Sequence, residues 1–192
     1  MKYFTLDKQT LDLQNINIDG RILDIGGGGE GIIAQLCGDN TIVIDKRRDE
    51  LEESPDIGIK IVMDACNLQF LDETFDNITC FYSLMYMDVG AAPCRPCPTD
   101  AALREAHRVL KPGGHLWIWD AIMSQPADAD VFVVPLDITL PNKSISTTYG
   151  ISWYKAQSAH TVANICESIG FTIVENISYD GRFYLRAVKG KV

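Results

Sequence analysis

The chain predicts a doubly wound α/β fold: a mostly parallel sheet with helices on both faces, a C-terminal antiparallel hairpin and an inserted β-rich flap. Three observations predict it. Short apolar or β-branched runs alternate with helical patterns along the chain, as in sheets whose strands return parallel through helices. Three of those runs end on an acid, at Asp24, Asp45 and Asp64, the edge where open α/β sheets gather their ligands. The first run, within residues 21–31 (RILDIGGGGEG), passes straight into the five glycines 26–29 and 31. A backbone without Cβ turns sharply there and lets a ligand reach its amides.

The elements follow in order. Residues 1–20 carry Leu6, Leu11, Leu13, Ile16 and Ile18 and are expected to pack on the rest as a short helix or an extended arm. The first strand is 21–25 and its helix 31–37. Gly38-Asp39-Asn40 turns the chain into the β-branched run 41–44 (TIVI), the second strand. A helix over 46–53 is stopped by Pro55. Residues 59–63 and 76–81 supply strands three and four. Leu103, Ala106, His107 and Leu110 share one face of a helix over 99–110, which Lys111-Pro112-Gly113-Gly114 ends. Residues 115–120 form strand five. Val162, Ile165, Cys166 and Ile169 line one face of a helix over 158–169, with Gly170 placed for a left-handed cap. Strands over 171–178 and 182–188, joined at Tyr179-Asp180-Gly181, make the closing hairpin. Residues 121–157 are too long for a plain loop. Two β-rich runs there, 131–140 and 143–154, flank Pro141-Asn142 and predict the flap.

Composition narrows the class. The 192 residues are 46% hydrophobic and 22% charged, the balance of a globular chain, and 1–192 reads as one domain. A net charge of −9 argues against nucleic acid as partner; the basic triplet Lys46-Arg47-Arg48 is followed at once by acids. No apolar run reaches membrane-spanning length, and residues 1–10 mix Lys2, Asp7 and Lys8 with apolar residues, unlike a signal peptide. The expectation is a cytoplasmic protein with reduced thiols and no membrane partner. The six cysteines are Cys37, Cys66, Cys80, Cys94, Cys97 and Cys166. A single CxxC at Cys94 and Cys97, without a second pair, does not make a zinc site. Inert loop thiols and no metal are expected.

The glycine pattern leaves two cofactor classes to separate. Gly26, Gly28 and Gly31 satisfy GxGxxG literally, which supports a nicotinamide dinucleotide. The three strand-end acids oppose it, since a pyrophosphate prefers amides and bases. S-adenosylmethionine carries no phosphate, and its hydroxyls, ammonium and adenine amine are donors that carboxylates accept.

At this point the sequence resembles the class I S-adenosylmethionine-dependent methyltransferases of small-molecule type. LDIGGGGEG (residues 23–31) resembles the family's first motif, Met63-Asp64-Ala65 its adenine-contacting motif, and residues 75–86 its fourth-strand motif. Residues 105–114 (EAHRVLKPGG) resemble its helix-turn before strand five. The resemblance covers residues 23–188 and implies a Rossmann-like fold. Where the family alternates glycines, this chain places Glu30 in the third slot, with Gly31 just after.

The resemblance implies roles residue by residue. Asp24, Gly26, Gly27 and Gly28 approach the methionine part of the cofactor. Asp45, with Lys46 beside it, takes the ribose hydroxyls. Asp64 accepts from the adenine amine and Ala65 offers its amide. Phe81, Tyr82 and Ser83 face the donor methyl and the acceptor. The bland alternative for Asp45 and Asp64 is a helix cap.

Methyl transfer needs alignment and a dry pocket, and a base where the acceptor must lose a proton. Asp120, at the end of strand five, and His160, at the start of the late helix, are the catalytic candidates. His107 and His115 read as structural. Ser83, Tyr86, Tyr149 and Trp153 are candidates to line a substrate pocket. The expected function is methyl transfer from S-adenosylmethionine to a small molecule, with the flap closing over substrate or building a homodimer contact. The rival readings are a module that binds the cofactor without transfer, and an NAD-dependent oxidoreductase.

Overall fold

The computed structural model describes residues 1–88, 97–124 and 128–191. In chain order its strands are β1 (Tyr3–Thr5), β2 (Gln9–Asp12), β3 (Ile22–Ile25), β4 (Thr41–Asp45), β5 (Ile59–Val62), β6 (Phe75–Phe81), β7 (Leu110–Ala121), β8 (Val131–Leu140), β9 (Lys143–Ser152), β10 (Phe171–Ser178) and β11 (Arg182–Lys189). The α-helices are α1 (Ile32–Cys37), α2 (Arg48–Glu53), α3 (Thr99–Val109) and α4 (Ala159–Ile169).

The buried runs of the sequence become a seven-stranded sheet, ordered β10-β11-β7-β6-β3-β4-β5 among the described residues. β3 pairs parallel with β4 and β6, and β6 with β7. All four residues of β3 are buried, as a strand covered on both faces requires. β11 runs antiparallel to β7 and to β10, so the hairpin expected at the C-terminus inserts its second strand beside β7. α3 and α4 pack on one face around Leu103, Ala106, Val162 and Cys166, all buried.

The N-terminal segment contains no helix. It is extended, and β1 and β2 both pair parallel with β8. β9 pairs antiparallel with β8 across its whole length. The predicted flap is thus one half of a four-stranded sheet whose other half is the chain's beginning. Alternate residues of β8, from Phe132 to Leu140, are buried and pack with Trp117, Trp119 and Tyr184 of the main sheet. This second core explains the arm: an unpaired β8 edge would leave backbone groups without partners, and Leu11 and Leu13 would lie uncovered.

Element ends moved by a few residues. β7 starts at Leu110 rather than at residue 115, because residue 110 already pairs with Phe75. α4 opens on a capping box, in which the Ser158 hydroxyl accepts from the Thr161 amide and the Thr161 hydroxyl accepts from the Ser158 amide, and Gly170 closes the helix at φ 114°, the left-handed cap its position predicts. Cys94 falls outside the described residues.

Candidate functional site

β3 sits in mid-sheet, so its C-terminal end meets the ends of β4 and β6. Asp24 is buried there and accepts from the Thr79 hydroxyl at 2.6 Å. Its other oxygen has no hydrogen-bond partner. Burial drives this carboxyl up to about 7. Gly27 lies directly over the unpaired oxygen: a Cβ at Gly27 would stand 2.1 Å from it. Gly26, at φ +73°, presses against Ser83, where a Cβ would meet the Ser83 Cβ at 2.5 Å. The amides of Gly26 and Gly27 donate to the Ile44 carbonyl at 2.8 and 3.2 Å, which moors the glycine turn to the end of β4.

Asp45 closes β4. It accepts from the Arg47 amide at 2.8 Å, and the Gly28 amide also faces it. Its pKa is raised by burial, against the pull of these amides. It does not cap α2, whose N-cap is Arg47. Asp64 is exposed after β5, and its Oδ1 accepts from the Cys66 amide at 2.9 Å.

These ends open on a cavity of about 480 Å3. Of the residues predicted from sequence it gathers Asp24, Gly26, Gly27, Gly28, Asp45, Lys46, Ala65, Phe81, Tyr82, Ser83, Tyr86 and Tyr149. Asp64 stands between two lining residues, Met63 and Ala65, but is not itself one. The far wall comes from β9, through Tyr149, Gly150, Ile151 and Ser152. Glu30 joins the two walls: its carboxylate accepts from the Thr147 hydroxyl, and from the Tyr149 hydroxyl at 3.0 Å. The Tyr82 and Tyr149 rings stand 5.6 Å apart, and Tyr82 holds φ 49° just after β6, an uncommon backbone for a bulky residue.

Three predicted site residues lie elsewhere. Asp120 is fully buried and outside the cavity lining; its oxygens accept from the amides of Leu84, Met85 and Ala121 and from the Gln157 side chain. These bonds tie three parts of the chain together and leave its oxygens turned away from the cavity. His160 is exposed on the first turn of α4, beside Asn164, and does not line the cavity. Trp153 packs between Phe4 and Phe132 and donates to the Ser124 carbonyl, so it belongs to the second core.

The cysteine expectation also needs correction. Cys97 is joined to Cys66 by a disulfide across a sequence separation of 31, so neither is a free thiol. Their two sulfurs and an Asp64 oxygen lie within 4.8 Å of one another. Sequence reasoning missed Glu30 as a lining residue, along with Glu50, Met87 and the β9 residues Gly150, Ile151 and Ser152. For Glu30 the interruption of the alternating glycines was the one available signal; the others depend on pairings that no local pattern encodes.

The residues at the glycine turn fit S-adenosylmethionine. A buried carboxylate oxygen without a donor suits its ammonium, and Asp45 suits ribose hydroxyls. The profile of the family described as "Methyltransferase domain" matches residues 23–118, half of the 192 residues. No curated protein matches the chain. The fold is similar to that of an S-adenosylmethionine-dependent methyltransferase from Mesorhizobium loti, at TM-score 0.61 and 16% identity over 88% of this chain and 90% of that one. It is similar to a methyltransferase from Methanosarcina mazei, at TM-score 0.59 and 19% identity over 95% and 100%. The [4+2]-cyclase SpnF is similar at TM-score 0.65 and 18% identity over 93% and 78%. The nicotinamide reading, carried by the literal glycine pattern, gives way to the family match. With its glycine turn and strand-end acids, this chain belongs to the class I S-adenosylmethionine-dependent methyltransferases.

Proposed function

We propose that the protein transfers a methyl group from S-adenosylmethionine to a small-molecule acceptor held between the end of β6 and β9. One observation carries this reading: the glycine turn with Asp24 and Asp45, and the wall of Tyr86, Tyr149 and Glu30, line one and the same cavity. Bound S-adenosylmethionine supplies an electrophilic methyl group. Asp24 holds the ammonium, Asp45 the ribose, and Asp64 with Ala65 the adenine. Phe81, Tyr82 and Ser83 border the methyl, and the aromatic rings exclude water from the charged sulfonium. With Asp120 and His160 away from the cavity, alignment rather than a dedicated base carries the rate. All 192 residues act as one methyltransferase unit.

Calorimetry with S-adenosylhomocysteine, followed by labelled-methyl transfer into a metabolite panel, tests the proposal. Binding with turnover on a small metabolite supports it. Binding with no turnover on any acceptor would make the protein a cofactor-holding module instead. The flap's rival role, a homodimer contact, is separated by the mass of the protein in solution. A cytoplasmic setting is the proposal carried from composition; no described helix is long and apolar enough to cross a membrane.

Two results are expected on the way. Asp24 must be ionised to hold an ammonium, and in the ligand-free protein it takes its proton at about 7. Affinity for S-adenosylhomocysteine therefore weakens as pH falls, by about tenfold from pH 8 to pH 6. Asp24→Asn flattens that profile. The second concerns the latch between the glycine turn and β9. Glu30→Gln and Tyr149→Phe are each expected to raise the acceptor KM by about tenfold, with cofactor affinity changed less than about threefold. Steady-state kinetics on the first acceptor found reads both quantities.

A further inference from the structure

We propose that the Cys66–Cys97 pair is a thiol–disulfide exchange site, taking low-molecular-weight thiols, whose oxidised form holds the adenine end of the cofactor site in its binding geometry. The inference rests on the assignment of Asp64 and Ala65 to adenine under Proposed function.

Cys66 lies inside the turn that presents those two residues. Its amide donates to Asp64 Oδ1 at 2.9 Å, and the Asn67 amide donates to the Asp64 carbonyl at 3.0 Å. Cys97 lies where the chain joins the core. Its carbonyl accepts from the Asp88 amide at 2.9 Å. The Asp88 carboxylate accepts from the amide and hydroxyl of Thr99, at 3.0 and 2.7 Å, at the head of α3. Asp88 also pairs with Lys155, whose ammonium donates to the Leu84 carbonyl beside the cavity wall. The turn is tethered at its two ends by the Met63 amide on the Asp45 carbonyl and the Leu68 amide on Glu105. Between those ends, among the described residues, the covalent tie to the rest of the fold is the disulfide. Breaking it leaves Asp64 and Ala65 on an exposed turn with more conformations to lose on binding.

The exchange chemistry is self-contained. The Cys66 sulfur belongs to a half-buried residue and Cys97 to a buried one, so a thiolate reaches Cys66 first. It attacks that sulfur, the S–S bond breaks, and the electron pair leaves on the Cys97 sulfur, which takes up a proton. A second small thiol then attacks the mixed disulfide and releases the Cys66 thiol. Two small thiols become one small disulfide, and the protein gains two electrons and two protons. The reverse reaction uses a low-molecular-weight disulfide as oxidant.

The test uses the full chain carrying Cys94→Ser, so that one pair is read. It is equilibrated in glutathione buffers of graded ratio, alkylated and weighed. S-adenosylhomocysteine affinity is then measured by calorimetry in the oxidised and reduced forms, and in Cys66→Ser. The expected result is a single two-electron transition, with affinity about fivefold weaker on reduction. Cys66→Ser should match the reduced form and ignore glutathione. Affinities equal within twofold in both forms would overturn the proposal. So would a reduced protein that holds one Zn(II) protecting Cys66 and Cys97 from alkylation, because Asp64 and the two sulfurs would then be a metal site. Absence of binding in both forms would remove the cofactor reading instead, and the alkylation titration alone would then decide whether the pair exchanges.

Discussion

Asp120→Ala is expected to cost the protein about 3–5 kcal/mol of folding stability, read by urea denaturation. The carboxylate stands one residue before the end of β7, and its four hydrogen bonds run to Leu84 and Met85, to Ala121 and to Gln157. Oδ2 accepts from the amides of Leu84 and Met85, at 2.9 and 3.2 Å, in the turn that carries Tyr86. Oδ1 accepts from the Ala121 amide and, at 2.9 Å, from the Gln157 side chain just before α4. Alanine would strand those donors where no water reaches, since Asp120 is fully buried. Asp120→Asn keeps the volume but turns an acceptor into a donor, and is expected to cost about half as much. The pH dependence separates this role from a catalytic one. Burial raises the Asp120 carboxyl to about 6. The folded state therefore keeps a proton that the unfolded chain releases near 4. Ligand-free stability should fall as pH rises from about 4 to about 6, and Asp120→Asn should reduce that slope. A variant that folds normally yet loses turnover at every pH would return Asp120 to the catalytic list.

Gly27→Ala is expected to weaken S-adenosylhomocysteine binding by at least about 100-fold. The new methyl would stand 2.1 Å from Asp24 Oδ2 and 2.7 Å from Val43 Cγ1, so either the carboxylate or the turn must move. The proposed function places both against the cofactor, and both are held: the Gly27 amide by the Ile44 carbonyl and the Asp24 carboxylate by the Thr79 hydroxyl. Gly190→Ala is the matched control: nothing lies within 4 Å of a Cβ there, and its affinity should be unchanged. Equal affinity in both variants, measured by calorimetry, would mean that the ligand does not sit on this turn.

Much of this site was readable before any folding because its residues are local. Residues 21–31 write a buried strand and a tight turn in consecutive positions, and a strand-end acid announces itself by following a β-branched run. Asp24, Asp45 and the glycines therefore fell where the strand pattern placed them. The two β-rich runs and the period-3.6 helical faces likewise located β8, β9, α3 and α4 within a few residues. Asp120 and His160 misled for the opposite reason. Each sits at a suitable end of an element, but whether its side chain faces a cavity, the core or solvent depends on neighbours far away in the chain. Trp153 misled similarly, since an aromatic serves a pocket wall and a core equally well.

The amino-acid order by itself determined the alternation of strands and helices, the acidic strand ends and the glycine turn after the first of them, because those depend on contacts within a few residues. Tertiary structure alone decided that β1 and β2 complete the sheet begun by β8, that Glu30 reaches Tyr149 across a separation of 119, and that Cys66 meets Cys97. Each of these pairs groups far apart in sequence, and such pairing is selected by burial and backbone hydrogen bonding in the assembled core rather than by any local preference.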